Sequence, residues 1–308
     1  MIGQTDIEAA HARIGAYLRR TPTLHIEAGM LCDCGVALKL ELFQHTGSFK
    51  TRGAFNALLS SDLGTAGVVA FSGGNHGAAI AYAATKLGVA STIFSPDWSG
   101  PIKIERMRAF GATVIVLKDE SSVIIQKFMD YADQTGALAV HPFDDPFVVC
   151  GQGTTGLEID QQLPDLDTLL VSVGGGGLIS GITAWFEDRI RIVAVETEGT
   201  ASLDNAFSDT PDLEILPSGI AASALGGTRL GVLPRQILAK WRPKSVIVTD
   251  QAVFDAQNRL WNGARIVAEP GAATALAALT SGAYQPAKGE NVGVLVCGGN
   301  ALPGWFLD

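Results

Sequence analysis

The chain has 308 residues, of which 47% are hydrophobic and 17% are charged, enough to bury a sizeable core in one or two domains. Its net charge of −9 at pH 7 argues against nucleic-acid binding, which usually requires a basic surface. The four cysteines lack zinc-like spacing and are few for a disulfide framework, and the sequence has neither a secretory leader nor an apolar run of membrane-spanning length. We therefore expect a cytoplasmic protein with no nucleic-acid or membrane partner.

The predicted elements begin with a helix and continue as an alternation of strands and helices. The first helix runs from about Asp6 to Arg20, and Thr5 and Glu8 have the spacing of a capping box. The apolar runs that predict strands are Val36–Leu42, Val68–Phe71, Ser91–Phe94, Thr113–Leu117, Thr168–Val173, Ile190–Val195, Ser245–Val248 and Val292–Val296. Because helical patterns separate most of them, we expect an α/β fold with parallel sheets covered by helices.

One lysine, Lys50, follows a Gly-Ser turn and precedes a predicted helix. A lysine acts as an imine-forming nucleophile only when burial or a cationic neighbour lowers its pKa. Phe49 offers apolar cover, and Arg52 offers a nearby positive charge. Lys50 is therefore a candidate nucleophile, although a single lysine is far more often a solvated surface charge.

Two glycine-rich turns each follow a predicted strand and open a predicted helix. Ser72–Gly77 has the sequence Ser-Gly-Gly-Asn-His-Gly, and its amides at a helix N-terminus suit a carboxylate, with an ordinary βα turn as the alternative. Gly174–Gly177 is a run of four glycines before Leu178, a pattern that favours several N–H groups converging on a phosphate. No Walker lysine follows it, and Glu196 leaves a dinucleotide site as a weaker alternative.

Three more segments lie at the ends of strands or the starts of helices. Cys297–Asn300 follows the last predicted strand, at a position where α/β sheets bind ligands, although a buried core cysteine is the alternative. Glu196–Ser202 follows another strand and reads as an acidic loop. Glu269 precedes Pro270, which suits the first position of a helix.

The segment Thr46–Ala54, Thr-Gly-Ser-Phe-Lys-Thr-Arg-Gly-Ala, resembles the cofactor-lysine segment of pyridoxal-phosphate enzymes of the tryptophan synthase β fold, fold type II. The resemblance is to their serine/threonine dehydratase and serine racemase branch, and the other segments follow in that family's order. It implies two parallel-sheet α/β domains with the active site in the cleft between them. Residues 1–43 and 146–308 would form a large cofactor-binding domain, and residues 44–145 a small mobile domain.

The same resemblance implies a role for each candidate residue. Lys50 would bind pyridoxal 5′-phosphate covalently and then act as the catalytic base. The other implied cofactor-binding residues are Phe49, Asn75, Gly174, Gly175, Gly176, Gly177, Leu178, Glu269 and Cys297. The implied ligands of the substrate carboxylate are Ser72, Gly73, Gly74, Asn75 and His76. A thiol at Cys297, facing the pyridine nitrogen, cannot keep that nitrogen protonated, which favours β-elimination over transamination.

A cation site is also implied, with Glu196, Thr200 and Ser202 as its ligands. Magnesium-binding members of the branch tend to have an aspartate where this chain has Ser202. Because the serine lacks a hard anionic oxygen, we expect a monovalent cation such as K⁺ rather than Mg²⁺. An exposed acidic loop without an ion is the alternative.

The implied activity is the β-elimination of water from a small hydroxyamino acid, giving a 2-oxo acid and ammonia, with L-threonine or L-serine as the leading substrates. Racemases of the branch carry a serine where this chain has Gly73, so we do not expect racemisation. The alternatives are a dehydratase for 3-hydroxyaspartate or another hydroxyamino acid, a serine racemase-like enzyme, and a ligand-binding protein on the same scaffold. Arg229, in the loop Pro217–Arg229, could contact a second carboxylate, with an exposed surface arginine as the favoured alternative. The resemblance also implies a homodimer.

Overall fold

The computed structural model of the chain describes residues 1–210 and 214–301. The strands are β1 (Thr23–Ile26), β2 (Val36–Leu40), β3 (Val68–Phe71), β4 (Ser91–Pro96), β5 (Thr113–Leu117), β6 (Leu138–Ala139), β7 (Thr168–Ser172), β8 (Arg191–Thr197), β9 (Lys244–Val248) and β10 (Val292–Val296). The α-helices are α1 (Gln4–Ile14), α2 (Lys50–Leu59), α3 (Asn75–Leu87), α4 (Pro101–Ala109), α5 (Ser121–Thr135), α6 (Pro146–Gln162), α7 (Gly177–Phe186), α8 (Ser202–Ala206), α9 (Ala222–Leu225), α10 (Val232–Trp241), α11 (Asp250–Ala264) and α12 (Pro270–Thr280).

The strands form two sheets. The larger sheet has the order β1-β2-β10-β7-β8-β9, and every neighbouring pair is parallel except the antiparallel pair β1–β2. The smaller sheet, β5-β4-β3-β6, is entirely parallel. The predicted α/β class with two parallel sheets is therefore confirmed, whereas the domain limits near residues 43 and 145 stay a prediction. No helix among the described residues is long and apolar enough to cross a membrane.

The smaller sheet comes from one continuous stretch of chain, since its strands all lie between Val68 and Ala139. The larger sheet takes β1 and β2 from before that stretch and the remaining strands from after it. The apolar side chains form a large buried cluster around the larger sheet and two smaller clusters around the other one. Each sheet therefore has its own core, as parallel sheets with helices on their faces require.

Some local predictions were wrong. α1 begins at Gln4, and its first turn is closed by Asp6, whose carboxylate accepts a hydrogen bond of 3.0 Å from the backbone N–H of Gly3. The expected capping box of Thr5 and Glu8 is therefore shifted by two residues. The second strand ends at Leu40, because Glu41–Phe43 form a 3₁₀ turn that buries Glu41. The short strands β1 and β6 were not predicted, since four and two residues carry too little periodicity.

Four charged side chains are enclosed where α2, α6 and the end of β2 meet. Arg52 on α2 donates to both carboxylate oxygens of Glu41, at 2.8 and 2.7 Å, and to Glu158 on α6 at 2.9 Å. Lys39 donates to Glu158 at 2.8 Å. We call these four residues the ion cluster. Because two positive and two negative charges meet there with hydrogen bonds, each buried charge is compensated.

Breaking the ion cluster should destabilise the fold. Arg52→Met leaves Glu41 and Glu158 buried without their main partner, so we expect the free energy of unfolding to fall by about 3–5 kcal/mol. Urea unfolding followed by circular dichroism would measure the loss. In the matched control Arg108→Met, the substituted side chain is 48% exposed and its pair with Glu105 spans 3.6 Å, so a change within about 1 kcal/mol is expected. Equal losses in the two variants would contradict this account.

Candidate active site

The chain just before Lys50 is hydrogen-bonded to the chain just after β10. The N–H of Phe49 donates to the carbonyl of Cys297 at 3.0 Å, and the N–H of Gly299 donates to the carbonyl of Gly47 at 2.9 Å. Ser48 and Gly298 form a β-bridge between these two bonds. Lys50, as the first residue of α2, is thereby held beside the carboxyl end of a central strand of the larger sheet.

The Lys50 amine lies in a partly buried position. Its Nζ donates to the carbonyl of Pro142 at 2.8 Å and lies 5.2 Å from the centre of the Phe49 ring. Burial lowers the pKa of Lys50 to about 8, while Cys297 and Glu269 act in the opposite direction. The sequence suggested Arg52 as a cause of such a shift, but its charge is neutralised within the ion cluster. Desolvation is therefore the main reason that part of the Lys50 amine is neutral near pH 8.

The tetraglycine turn opens α7. Gly176 has φ of +91°, which suits glycine, and the helix begins at Gly177. The backbone N–H groups of residues 174–178 make no hydrogen bond within the part of the chain that the structure describes. A Cβ on Gly175 would lie 2.3 Å from the Phe143 ring, so glycine here lets the chain after Pro142 close against the turn. The turn thus presents unpaired donors at a helix N-terminus, close to residues that contact Lys50.

The turn between β3 and α3 is built in a similar way. The hydroxyl oxygen of Ser72 accepts from the N–H groups of Gly74 and Gly77, at 3.1 and 2.8 Å, and so shapes the turn. Among the described residues, the N–H groups of Gly73, Asn75 and His76 have no hydrogen-bond partner. These three donors meet at the N-terminus of a 13-residue helix, a suitable site for a carboxylate.

The His76 ring belongs to the core rather than to this turn. Its Nε2 lies 3.1 Å from the carbonyl of Val140, and burial lowers the pKa of His76 to about 3. The ring is therefore neutral at physiological pH and is held by a backbone group. The backbone N–H of His76 has no partner among the described residues and is available to a ligand.

A chain of hydrogen bonds joins Arg106 to Glu269. Arg106 donates to the side-chain oxygen of Asn300, and the Asn300 amide donates to Asn75 Oδ1 at 2.6 Å. Asn75 in turn donates to Glu269 at 2.6 Å. Because a guanidinium only donates, it fixes which end of each amide is the donor. Asn75 therefore presents its NH₂ group, rather than its oxygen, towards Glu269.

Two of these residues were missed by the sequence analysis. Asn300 belongs to a quoted motif but received no role, and Arg106 was not singled out at all. Arg106 lies on α4 among several other charged residues, so nothing in its sequence surroundings distinguishes it from a surface arginine. Its second guanidinium nitrogen donates to the carbonyl of Thr46 at 3.1 Å, which only the folded chain reveals.

Glu269 and Cys297 are both buried near Lys50. Burial raises the pKa of the Glu269 carboxyl, while the hydrogen bond from Asn75 acts in the opposite direction. Burial also raises the pKa of the Cys297 thiol well above its usual value, so this group is uncharged. A Cβ on Gly298 would lie 2.0 Å from the Glu269 carboxylate, which explains the glycine after Cys297.

The three predicted cation ligands lie together at the start of α8. Glu196 accepts from the N–H groups of Leu203 and Asp204, at 2.7 and 2.9 Å, and burial raises its pKa to about 7. The Thr200 hydroxyl lies 2.8 Å from that of Thr197. Ser202 donates at 2.6 Å to the carbonyl of Gly174, which connects this loop to the tetraglycine turn. Among the described residues, no group of three or more His, Cys, Asp or Glu side chains is arranged to hold a metal ion.

Comparisons with known proteins agree with this arrangement. Residues 14–298 match the family model described as "Pyridoxal-phosphate dependent enzyme". The chain belongs to this family. It is 33% identical over 306 residues to an L-threonine ammonia-lyase of Thermotoga maritima, covering 97% of this chain and 76% of that protein. It is 34% identical over 308 residues to a serine racemase of Dictyostelium discoideum, covering 96% and 94%.

A solved structure is similar over nearly the whole length. It is a threonine deaminase whose source is abbreviated T.th., with a TM-score of 0.90, 32% identity and coverage of 98% of this chain and 99% of that one. The expected membership in the fold type II pyridoxal-phosphate enzymes is thus confirmed. The match extends over both sheets, so it includes all the segments that the sequence analysis quoted.

The residues of this chain fit the family's cofactor. Lys50 supplies an amine that is partly neutral near pH 8, as covalent capture of an aldehyde requires. The tetraglycine turn supplies unpaired N–H donors at a helix N-terminus, which suit a phosphate group. Asn75, whose orientation is fixed by Asn300, supplies a donor for a negatively charged ring oxygen.

The lowered pKa of Lys50 sets a pH dependence for cofactor capture. Only the neutral amine attacks an aldehyde, so the rate at which apo-protein captures pyridoxal phosphate should rise with pH to a plateau above about pH 8. Rapid-mixing absorption spectroscopy would measure it, with Lys50→Ala as the variant that forms no covalent bond. A rate that keeps rising towards the ordinary lysine pKa of about 10.4 would show that the amine is solvated.

Proposed function

We propose that this chain is a pyridoxal-phosphate-dependent ammonia-lyase that converts L-threonine or L-serine to a 2-oxo acid and ammonia. Similar proteins are named L-threonine ammonia-lyase and threonine deaminase, which supports this reaction class. One observation carries the proposal. The Lys50 amine, with its lowered pKa, lies near two helix N-termini whose N–H groups have no partner among the described residues.

In the proposed site, Lys50 would hold the cofactor, and the tetraglycine turn with Leu178 would hold its phosphate. Phe49 packs beside the lysine, and Asn75 would donate a hydrogen bond to the ring's phenolic oxygen. When bound, the cofactor supplies an electron sink for the negative charge left at Cα. Glu269 and Cys297, both buried near Lys50, would lie at the ring edge.

The substrate binds through its carboxylate to the turn Ser72–His76. There the N–H groups of Gly73, Asn75 and His76 donate to the carboxylate, and the dipole of α3 favours its negative charge. With the cofactor and substrate bound, the neutral Nζ of Lys50 would accept the Cα proton. A pKa near 8 allows this step close to neutral pH, because part of the amine is then neutral.

The uncharged thiol of Cys297 supports elimination in preference to transamination. Its raised pKa follows from burial, and its Sγ lies 3.9 Å from the carbonyl of Gly271. A neutral thiol cannot stabilise a protonated pyridine nitrogen as a carboxylate would. A bound cofactor would then withdraw negative charge from Cα less completely, which would favour loss of the β-hydroxyl over return of the proton.

A serine racemase-like activity is the second candidate, since similar proteins also carry that name. Gly73 argues against it, because it offers no hydroxyl to move a proton on the side opposite Lys50. Ser99 takes up the nearby space, with its hydroxyl oxygen 2.9 Å from the position of a Cβ on Gly73. A non-catalytic binding protein on this scaffold would not need the lowered pKa of Lys50.

The test is an assay of purified holoenzyme with L-threonine, L-serine and 3-hydroxyaspartate, in which 2-oxo acid, ammonia and the D-enantiomer are measured. We expect elimination to exceed racemisation for the preferred substrate. Lys50→Ala should abolish the visible absorption band of bound cofactor and reduce elimination roughly 10³-fold or more. The exposed lysine in Lys118→Ala serves as a control that keeps both. If the parent holoenzyme eliminates nothing from any hydroxyamino acid, the proposal fails.

We also propose that the loop Glu196–Ser202 binds a monovalent cation such as K⁺. Glu196 is buried with a raised pKa, so its carboxylate lacks a compensating positive charge. Ser202 and the backbone of Thr200 offer only neutral oxygens, which suit K⁺ better than Mg²⁺. An ordered loop would also stabilise the tetraglycine turn, because Ser202 donates a hydrogen bond to the carbonyl of Gly174.

The cation proposal predicts a pH-dependent stabilisation. K⁺ binds the ionised carboxylate, so the Tm in KCl should exceed the Tm in tetramethylammonium chloride. This difference should grow as the pH rises through about 7. Thermal unfolding of the parent and of Glu196→Gln would measure it, and the variant should show no difference between the salts. Identical Tm values for the parent in both salts, at every pH, would refute the site.

The homodimer, the cytoplasmic location and a mobile small domain of residues 44–145 are further proposals that rest on the family resemblance. The separate cores of the two sheets support the domain division. A native mass equal to one chain, measured by light scattering at micromolar concentration, would contradict the dimer.

A further inference from the structure

Lys103, on α4, is a partly buried lysine without a polar partner. Its ammonium has no hydrogen bond and no salt bridge to any residue in the described parts of the chain. Its side chain lies against the turn between β3 and α3. A Cβ on Gly74 would lie 3.5 Å from Lys103 Cδ and 3.9 Å from its Nζ.

An ammonium in such a position is unusual in this protein. Lys39, which is buried more deeply, donates to Thr21, Glu158 and Gln162, all within 2.9 Å. Burial lowers the pKa of Lys103, and only Glu269 acts against that shift. Glu269 accepts its hydrogen bond from Asn75 instead. The donors of Lys103 therefore remain available to an anion from outside the chain.

The surroundings of Lys103 indicate which kind of anion fits. The N–H groups of Gly73, Asn75 and His76 lack partners in the same turn, and they lie at the N-terminus of α3. The Ser72 hydroxyl oxygen already accepts two N–H groups, so it shapes the turn. Backbone donors and one flexible ammonium together suit a carboxylate, which accepts several hydrogen bonds at once.

We propose that Lys103 binds a carboxylate of the amino-acid substrate, together with the backbone N–H groups of the turn Ser72–His76. This inference rests on the proposed substrate site and adds to it a charged side chain that the sequence analysis missed. The ammonium distinguishes an amino acid from an amine of the same size. The carboxylate is either the one on Cα or a second one on the substrate side chain, as in 3-hydroxyaspartate.

The test compares ligands with and without a carboxylate on the holoenzyme. L-alanine has no β-leaving group, and ethylamine lacks the carboxylate, so spectral titration of the bound cofactor gives a Kd for each without elimination. Lys103→Gln should weaken L-alanine roughly 10- to 100-fold and leave ethylamine unchanged. Lys103→Arg, which keeps the charge, should recover part of the affinity. Lys118→Gln is the matched control, because it removes the charge of an exposed lysine that also lies beside the smaller sheet.

A second pair of ligands separates the two carboxylate sources. If Lys103→Gln raises KM for L-serine and for 3-hydroxyaspartate alike, the ammonium binds the carboxylate on Cα. If it weakens 3-hydroxyaspartate alone and spares L-serine and L-alanine, the ammonium binds the side-chain carboxylate. Both results support the proposal, and in both the kcat for the affected substrate should change much less than KM.

Unchanged Kd and KM for every carboxylate ligand, in a variant that keeps its cofactor absorption, would overturn the proposal. An equal loss of ethylamine binding would also overturn it, because the lysine would then shape the site without contacting a carboxylate. Failure of the proposed function is a separate result. A parent protein that binds cofactor and L-alanine but eliminates nothing would refute the lyase, while the titrations would still test Lys103.

Discussion

The enclosed ion cluster around Arg52 is the constraint on which the active site depends. Arg52 stands two residues after Lys50 on the same helix, and its guanidinium contacts Glu41 beside β2 and Glu158 on α6. Charges buried this deeply are tolerated only with their partners in place. The ion cluster therefore anchors the start of α2, where the N–H of Phe49 also donates to the carbonyl of Cys297.

Burial then determines the charge state of the groups that face the site. Desolvation lowers the pKa values of Lys50 and Lys103 and raises those of Glu269 and Cys297, so each charged form is disfavoured. Such a site has few fixed negative charges and several unpaired N–H donors. The N–H donors attract a phosphate or a carboxylate more strongly there than they would in water, and this attraction opposes the desolvation of the anion.

The hydrogen bonds from Arg106 to Glu269 join parts of the chain that belong to different sheets. Arg106 lies on α4, which packs with the smaller sheet, whereas Asn300 and Glu269 follow or precede elements of the larger one. A guanidinium at one end and a carboxylate at the other make every amide in between point the same way. Residues from both sheets therefore orient the Asn75 side chain, and neither sheet supplies all of them.

Local features of this fold were readable from the sequence because they depend on neighbouring residues. Alternating apolar runs and helical patterns predicted the parallel sheets, and glycines after strands predicted the two turns that open α3 and α7. The sequence predictions failed where the local signal was weak or ambiguous. The cap of α1 uses Asp6 instead of the predicted residues, and the short strands β1 and β6 were not predicted.

The tertiary structure alone decided how these pieces act together. Lys50 is hydrogen-bonded to the carbonyl of Pro142, 92 residues away in the sequence, and Asn75 is hydrogen-bonded to Asn300, 225 residues away. No sequence pattern indicates contacts at such separations. It also showed that Arg52 neutralises buried carboxylates rather than activating the lysine. Lys103 lies against the turn between β3 and α3, and Arg106 donates to Asn300. The sequence determines which side chains can carry a charge, but the burial and the partners of each one depend on which distant segments pack around it.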